Sequence, residues 1–208
     1  DDVATADGAL AEPLAVALHC VLRSGMTAGD RVAIVGAGPI GLLVAFWARR
    51  LGAARVVMAD IHTHQRDRAL ALGATDFALS GDRLAENLAD LCDGPPDIVF
   101  ECVGKPGLLQ AASEAVRLQG KVIGVGLCIG GDTWDPFIAL SKEIDLVFSV
   151  FFHQRNEFGV ALDALAPGPF APQQIITDRI TLSPVPQVFE GLRRRTAQCK
   201  VLIQPDIT

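Results

Sequence analysis

The run Arg31–Val35 (RVAIV) passes directly into Gly36-Ala37-Gly38-Pro39-Ile40-Gly41, and that hexapeptide opens Pro39–Leu51, whose apolar residues fall at helical spacing. A G-x-G-x-x-G alone is weak, but between an apolar strand and a helix it stands where pyrophosphate binding needs it. Gly36 permits the tight turn, Gly38 lets backbone approach a pyrophosphate, and Gly41 lets the helix pack on the strand. The helix start at Pro39 and Ile40 then turns free N–H groups and a positive dipole end towards phosphate. The next apolar run, Arg55–Ala59, leads to Asp60, 19 residues beyond Gly41. A carboxylate there accepts hydrogen bonds from the adenosine ribose and repels a 2′-phosphate, favouring NAD over NADP. The competing reading is that Asp60 caps a helix beginning near Thr63.

The same alternation continues downstream. Asp76–Leu79, Asp97–Glu101, Lys121–Val125 and Ile144–Phe152 read as further strands. Gln65–Leu72, Arg83–Leu91, Leu108–Leu118 and Phe158–Leu165 read as the helices between and after them. Near-continuous apolar strands separated by helices predict a parallel sheet covered on both faces. With right-handed crossovers this is an α/β, doubly wound, six-stranded Rossmann sheet. Beyond Gly168-Pro169 the pattern changes: Ile175–Leu182 is extended, Val185–Arg195 helical and Lys200–Ile203 a last strand. The expected division is a connecting segment at 1–25, a dinucleotide-binding domain at 26–170 and a return segment at 171–208.

Composition removes competing classes. With 18 Lys+Arg against 24 Asp+Glu the net charge is −6, which argues against a nucleic-acid binder. There is no tyrosine, so chemistry that needs a catalytic Tyr is closed. The five cysteines (Cys20, Cys92, Cys102, Cys128, Cys199) are scattered without a C-x-x-C. That fits neither a disulfide framework nor a zinc ribbon, and a reducing cytoplasm is the expected setting. No apolar run reaches a membrane-spanning length, so no membrane partner is expected.

Several short motifs carry a family likeness: Ala11-Glu12-Pro13-Leu14, Ala28-Gly29-Asp30-Arg31-Val32, the glycine loop, Leu72-Gly73-Ala74, Asp97–Gly104, Gly124-Val125-Gly126-Leu127 and Ser141-Lys142-Glu143-Ile144. In this order and spacing the chain resembles the cofactor-binding half of zinc-type medium-chain alcohol and polyol dehydrogenases. The resemblance implies that Cys102, Val103, Gly104, Gly126 and Leu127, past strand carboxyl ends, contact the nicotinamide ribose and carboxamide. Turn chemistry at strand ends would account for the same loops. Backbone around Val150 and Phe151 is expected to help hold the nicotinamide, and the sixth strand to pair across a homodimer or homotetramer interface. Arg66 is a further candidate at the adenosine end, because the Arg often found five residues past the ribose-binding Asp is Gln65 here. Phe152 stands where relatives often carry another Arg, which favours a more apolar secondary alcohol over a sugar polyol.

Glu12 is the implied metal-proximal residue, beside a catalytic zinc; its other reading is an N-terminal helix cap, with Pro13 at the first helical position just before Leu14–Leu22. The family's principal zinc ligands and its acid–base groups belong to a GroES-like catalytic domain of about 150 residues that has no match here. The chain therefore reads as a fragment or isolated domain of a longer enzyme, with no catalytic residue of its own. His19, His62, His64 and His153 show no paired ligand spacing. His19 is expected to pack in the core, and His62 and His64 to be solvated. The implied activity is NAD-dependent oxidation of a small alcohol, assisted by zinc. Other readings are a non-catalytic nucleotide-binding module, a zinc-independent quinone or enoyl reductase, and a flavoenzyme.

Overall fold

The computed structural model describes residues 7–193 and 197–205. Helix α1 (Ala11–Ser24) leads into the alternating part of the chain, β1 (Arg31–Val35), α2 (Pro39–Arg50), β2 (Arg55–Asp60), α3 (Arg66–Ala71), β3 (Asp76–Leu79), α4 (Leu84–Leu91), β4 (Ile98–Glu101), α5 (Leu108–Ala115) and β5 (Lys121–Gly124). Next come α6 (Pro136–Lys142), β6 (Asp145–Phe148), α7 (Phe158–Asp163), β7 (Ile176–Ile180), α8 (Val185–Leu192) and β8 (Lys200–Ile203). Six strands form one parallel sheet in the order β3-β2-β1-β4-β5-β6. The order reverses between β1 and β4, and a doubly wound sheet opens its ligand crevice at that reversal.

Both sheet faces are packed, as continuous apolar strands require. On one face Ala33, Val57, Val99 and Val122 meet α4 and α5; on the other Ile34, Met58, Phe100 and Ile123 meet α1 and α2. Helix α1 belongs to this core: Leu14, Leu18 and Val21 are buried, and the Trp47 indole N–H donates to the Leu14 carbonyl at 2.9 Å. The return segment sits against the same body, with Ile175 buried and the Arg68 guanidinium donating to the Gln174 carbonyl at 3.0 Å. Strands β7 and β8 form a separate two-stranded parallel sheet.

Two expectations need correction. The run Ile144–Phe152 pairs only over Asp145–Phe148. Strand β5 ends at Gly124, and the amides of Val125 and Gly126 turn away to the Glu101 carbonyl at 2.8 and 2.9 Å. After the Ser149 amide bonds to Gly124, the chain has no strand left to follow. Helix α6 is an addition, set by Asp135, whose carboxylate accepts the Phe137 N–H at 2.9 Å, and by Pro136 in the first turn. Its last residue, Lys142, reaches the carbonyls of Ser113, Glu114 and Val116 at the end of α5. The Ser-Lys-Glu motif is therefore a helix-terminating device. The expected helical stretch to Arg195 ends in its described part at Leu192, and Arg195 lies outside the described residues.

The sheet's lower edge is tied by Asp97, which accepts the Arg31 N–H at 2.8 Å, Arg31 Nε at 3.2 Å and Arg117 Nε at 2.6 Å. Burial would raise this carboxyl, but the bonds from Arg31 and Arg117 outweigh it and bring the pKa down to about 2. A depressed carboxyl stabilises the fold above its unfolded pKa and loses that contribution as pH falls through the folded value. Asp97→Asn is expected to cost about 2 kcal/mol near neutrality. In urea unfolding the gap to wild type should stay constant down to about pH 4 and narrow below it. A gap independent of pH over that range would contradict the pairing.

Candidate functional site

The glycine loop closes tightly on its own strand. Gly36 has φ +104°, its N–H donates to the Ala59 carbonyl at 2.7 Å, and a Cβ there would meet Val103 at 2.6 Å. A Cβ on Gly41 would run into the Gly36 carbonyl oxygen. Gly38, which precedes the first turn of α2, has nothing within 4 Å of a Cβ position. The loop is thus sealed behind and open in front, which fits a diphosphate lying against a helix N-terminus.

In front of it lies a cavity of about 490 Å³, lined by Gly36, Gly38, Pro39, Asp60, Cys102 and Val103. His62, His64, Gln65, Ser80, Lys105 and, from the return segment, Leu192 and Cys199 complete much of the wall. A second cavity of about 290 Å³, lined by Val16, Ile40, Val125, Gly126, Leu127 and Val150, shares Cys102 and Val103 with the first. Together they form one cleft across the β1/β4 reversal. Gly41 lies beneath it and Gly104 holds up its loop, while Phe151 is exposed outside both cavities. Arg66 is exposed at the start of α3 and does not line the cleft, whereas Gln65 does.

Asp60 is engaged by the loop itself. Its Oδ2 accepts the Ala37 N–H at 2.9 Å and its Oδ1 accepts the His62 N–H at 3.1 Å. It does not cap α3, whose N-cap is Gln65, with no side-chain capping bond. A carboxylate has lone pairs to spare beyond these two bonds, and this one lines the cavity.

The loops past β4 and β5 pack backbone on backbone. Gly104 has φ +71°, and its Cβ would come within 2.5 Å of the Leu127 main chain; one on Gly126 would strike Gly104. Glu101, buried, accepts the N–H groups of Val103 and Gly104 at 2.7 and 2.9 Å. Sequence reasoning did not foresee this carboxylate's role, although a charged residue ending an apolar strand was a usable signal. It also missed the wall from the return segment, which no local pattern announces. Burial raises the Cys102 thiol well above its ordinary value, so this cleft residue remains a neutral thiol.

The zinc-binding dehydrogenase family matches residues 39–166. The chain is 32% identical over 213 residues to sorbitol dehydrogenase of Ovis aries, across 99% of this chain and 58% of that protein. It superposes on 2R,3R-butanediol dehydrogenase of Bacillus subtilis with a TM-score of 0.89 and 28% identity, covering 99% of this chain and 59% of that one. A protein of Sinorhizobium meliloti 1021 solved with NADP gives a TM-score of 0.84 at 32% identity, covering 95% of this chain and 58% of that one. The chain belongs to the zinc-binding dehydrogenase family. It spans little more than half the length of these relatives.

For a nicotinamide dinucleotide, a cofactor class that this family uses, the open Gly38 face and the Asp60 wall are a fitting cradle. For zinc at Glu12 the described residues do not supply a ligand set by themselves. Glu12 is exposed in the first turn of α1, and among the described residues no metal-sized group of three His, Cys, Asp or Glu includes it. His62 and His64 are exposed, as expected. His19 is buried as expected, yet it is paired with Glu157.

Two glycine variants separate packing from binding. Gly41→Ala should destabilise the fold by about 1–3 kcal/mol, seen as a lowered Tm, because the new methyl displaces the Gly36 carbonyl. Gly38→Ala should leave Tm nearly unchanged while weakening NADH binding about tenfold or more, followed by fluorescence titration. Unaltered binding in Gly38→Ala would show that no diphosphate rests there.

Proposed function

We propose that this chain is the cofactor-binding part of an NAD-dependent alcohol dehydrogenase that moves hydride between NAD and a secondary alcohol or polyol. The single observation carrying this reading is Asp60, a carboxylate in the wall of a cleft that begins at the open face of Gly38. The glycine loop and the start of α2 receive the diphosphate, and Asp60 accepts the adenosine ribose hydroxyls and repels a 2′-phosphate. Cys102, Val103, Gly126, Leu127 and Val150 hold the nicotinamide in the smaller cavity, whose walls are mostly apolar. When bound, NAD supplies the hydride-accepting ring. The sorbitol and butanediol relatives support a small polyol or vicinal diol as substrate class. Arg66 and Phe151, outside the cleft walls, are assigned at most peripheral contacts.

A zinc beside Glu12 requires ligands beyond those that this chain brings together. That observation favours a second reading, in which the 208-residue chain binds dinucleotide without turnover. NADH titration beside an alcohol-oxidation assay with added zinc distinguishes the two. Asp60→Ser should raise the NADP/NAD affinity ratio about tenfold or more, a change of roughly 1.4 kcal/mol. An unchanged ratio would remove Asp60 from the ribose site.

The sixth strand supports an oligomer proposal. Strand β6 is an outer strand of the sheet, and Phe148, Val150, Phe151, Leu127 and Leu140 are exposed around it. An unpaired, apolar edge is a template for a second copy. Phe148→Lys is expected to shift sedimentation from dimer or tetramer towards monomer; a wild-type monomer at micromolar concentration would end this part of the proposal. Five free cysteines suit a reducing, cytoplasmic setting, and no helix among the described residues is long and apolar enough to cross a membrane.

A further inference from the structure

Beyond the smaller cavity, α1 and the segment leading into α7 bring together three metal-ligating side chains. His19 is buried on α1, Glu157 is buried at the N-cap of α7, and His153 is exposed in the loop between β6 and α7. Their ligand atoms all lie within 4.8 Å of one another. The His19 Nδ1 is 2.9 Å from Glu157 Oε1 and 3.1 Å from Oε2. The two imidazoles meet edge to face with centroids 4.9 Å apart. Glu157 also accepts the His153 main-chain N–H at 2.6 Å, which fixes the loop to the carboxylate.

We propose that His19, His153 and Glu157 form a binding site for a divalent transition-metal ion of the zinc type. Two imidazoles and one carboxylate are a borderline donor set that suits zinc and disfavours calcium or magnesium. Adjacent ligands of a tetrahedral zinc stand about 3.3 Å apart, given bonds of about 2.0–2.1 Å. The His19–Glu157 contact is already close to that edge length. Among the described residues the His153 ring makes no hydrogen bond, and it lies at the surface against the His19 ring, so a rotamer change brings it in. Solvent at this exposed corner supplies the fourth ligand and the entry path. On binding, His19 Nδ1 presents its lone pair to the ion, and any proton it shared with Glu157 passes to water.

A core histidine with one carboxylate partner would need nothing further. What sets this cluster apart is the second imidazole, held by its backbone to the same carboxylate. An ion here cross-links α1, which carries Val16 into the wall of the smaller cavity, to the segment that follows Val150, another residue of that wall. It would fix the width of the nicotinamide end of the cleft.

The test is metal uptake by the intact chain after chelator dialysis, read as zinc content by mass spectrometry, as visible absorption on cobalt titration, and as the zinc-induced change in Tm. Wild type should bind one more ion per chain than His153→Ala, with a zinc-dependent rise in Tm that the variant lacks. Glu157→Gln should weaken uptake about tenfold or more, and Glu12→Gln should retain the ion. Because His153 is exposed, its replacement leaves the fold intact and decides the matter even if Glu157→Gln fails to fold. Equal metal content and equal Tm response in wild type and His153→Ala would overturn the proposal and leave His19–Glu157 as a structural hydrogen bond.

Discussion

The molecule depends on how closely α2 sits upon the end of β1. That approach leaves no room for a side-chain carbon between Gly41 and the Gly36 carbonyl. It aims the first turn of α2 across the sheet's reversal point, where helix dipole and free amides act on the same volume. The other walls are placed relative to it. Val103 touches the space over Gly36, and Asp60 bonds to Ala37. A shift of the loop would therefore move the adenosine and nicotinamide ends together.

Much of this was legible because the physics is local. Strands β1, β2, β4 and β5 are short apolar runs, buried almost throughout, and the helices α2, α3 and α4 end within a few residues of a glycine. The glycine loop carried its own context, and Asp60 followed from the length of one helix and one strand. What escaped depends on distant partners. Residues 149–152 are as apolar as the strand before them, but Gly124 is the last residue of β5 available to pair. The short helix α6 had a readable Asp-Pro start, but its reason for existing, Lys142 on the end of α5, spans nearly thirty residues of sequence.

The site shows the same division. Gly104 and Gly126 look like strand-end turn residues in sequence, and in space they are the contact between two loops. Leu192 and Cys199 were placed with a return segment and nonetheless line the larger cavity. His19, His153 and Glu157 are scattered over 138 positions and become neighbours only because α7 packs against α1. No spacing rule detects a cluster of that kind, since each residue has an ordinary local explanation.

Glu101 has a consequence of its own. Its side chain holds the amides of Val103 and Gly104, while its main-chain carbonyl holds those of Val125 and Gly126. One residue thus anchors both rims of the smaller cavity, so the rims are mechanically a single piece. Any opening for a bulky guest falls to the rest of the wall, where Val16 and Val150 belong to elements that Glu101 does not hold.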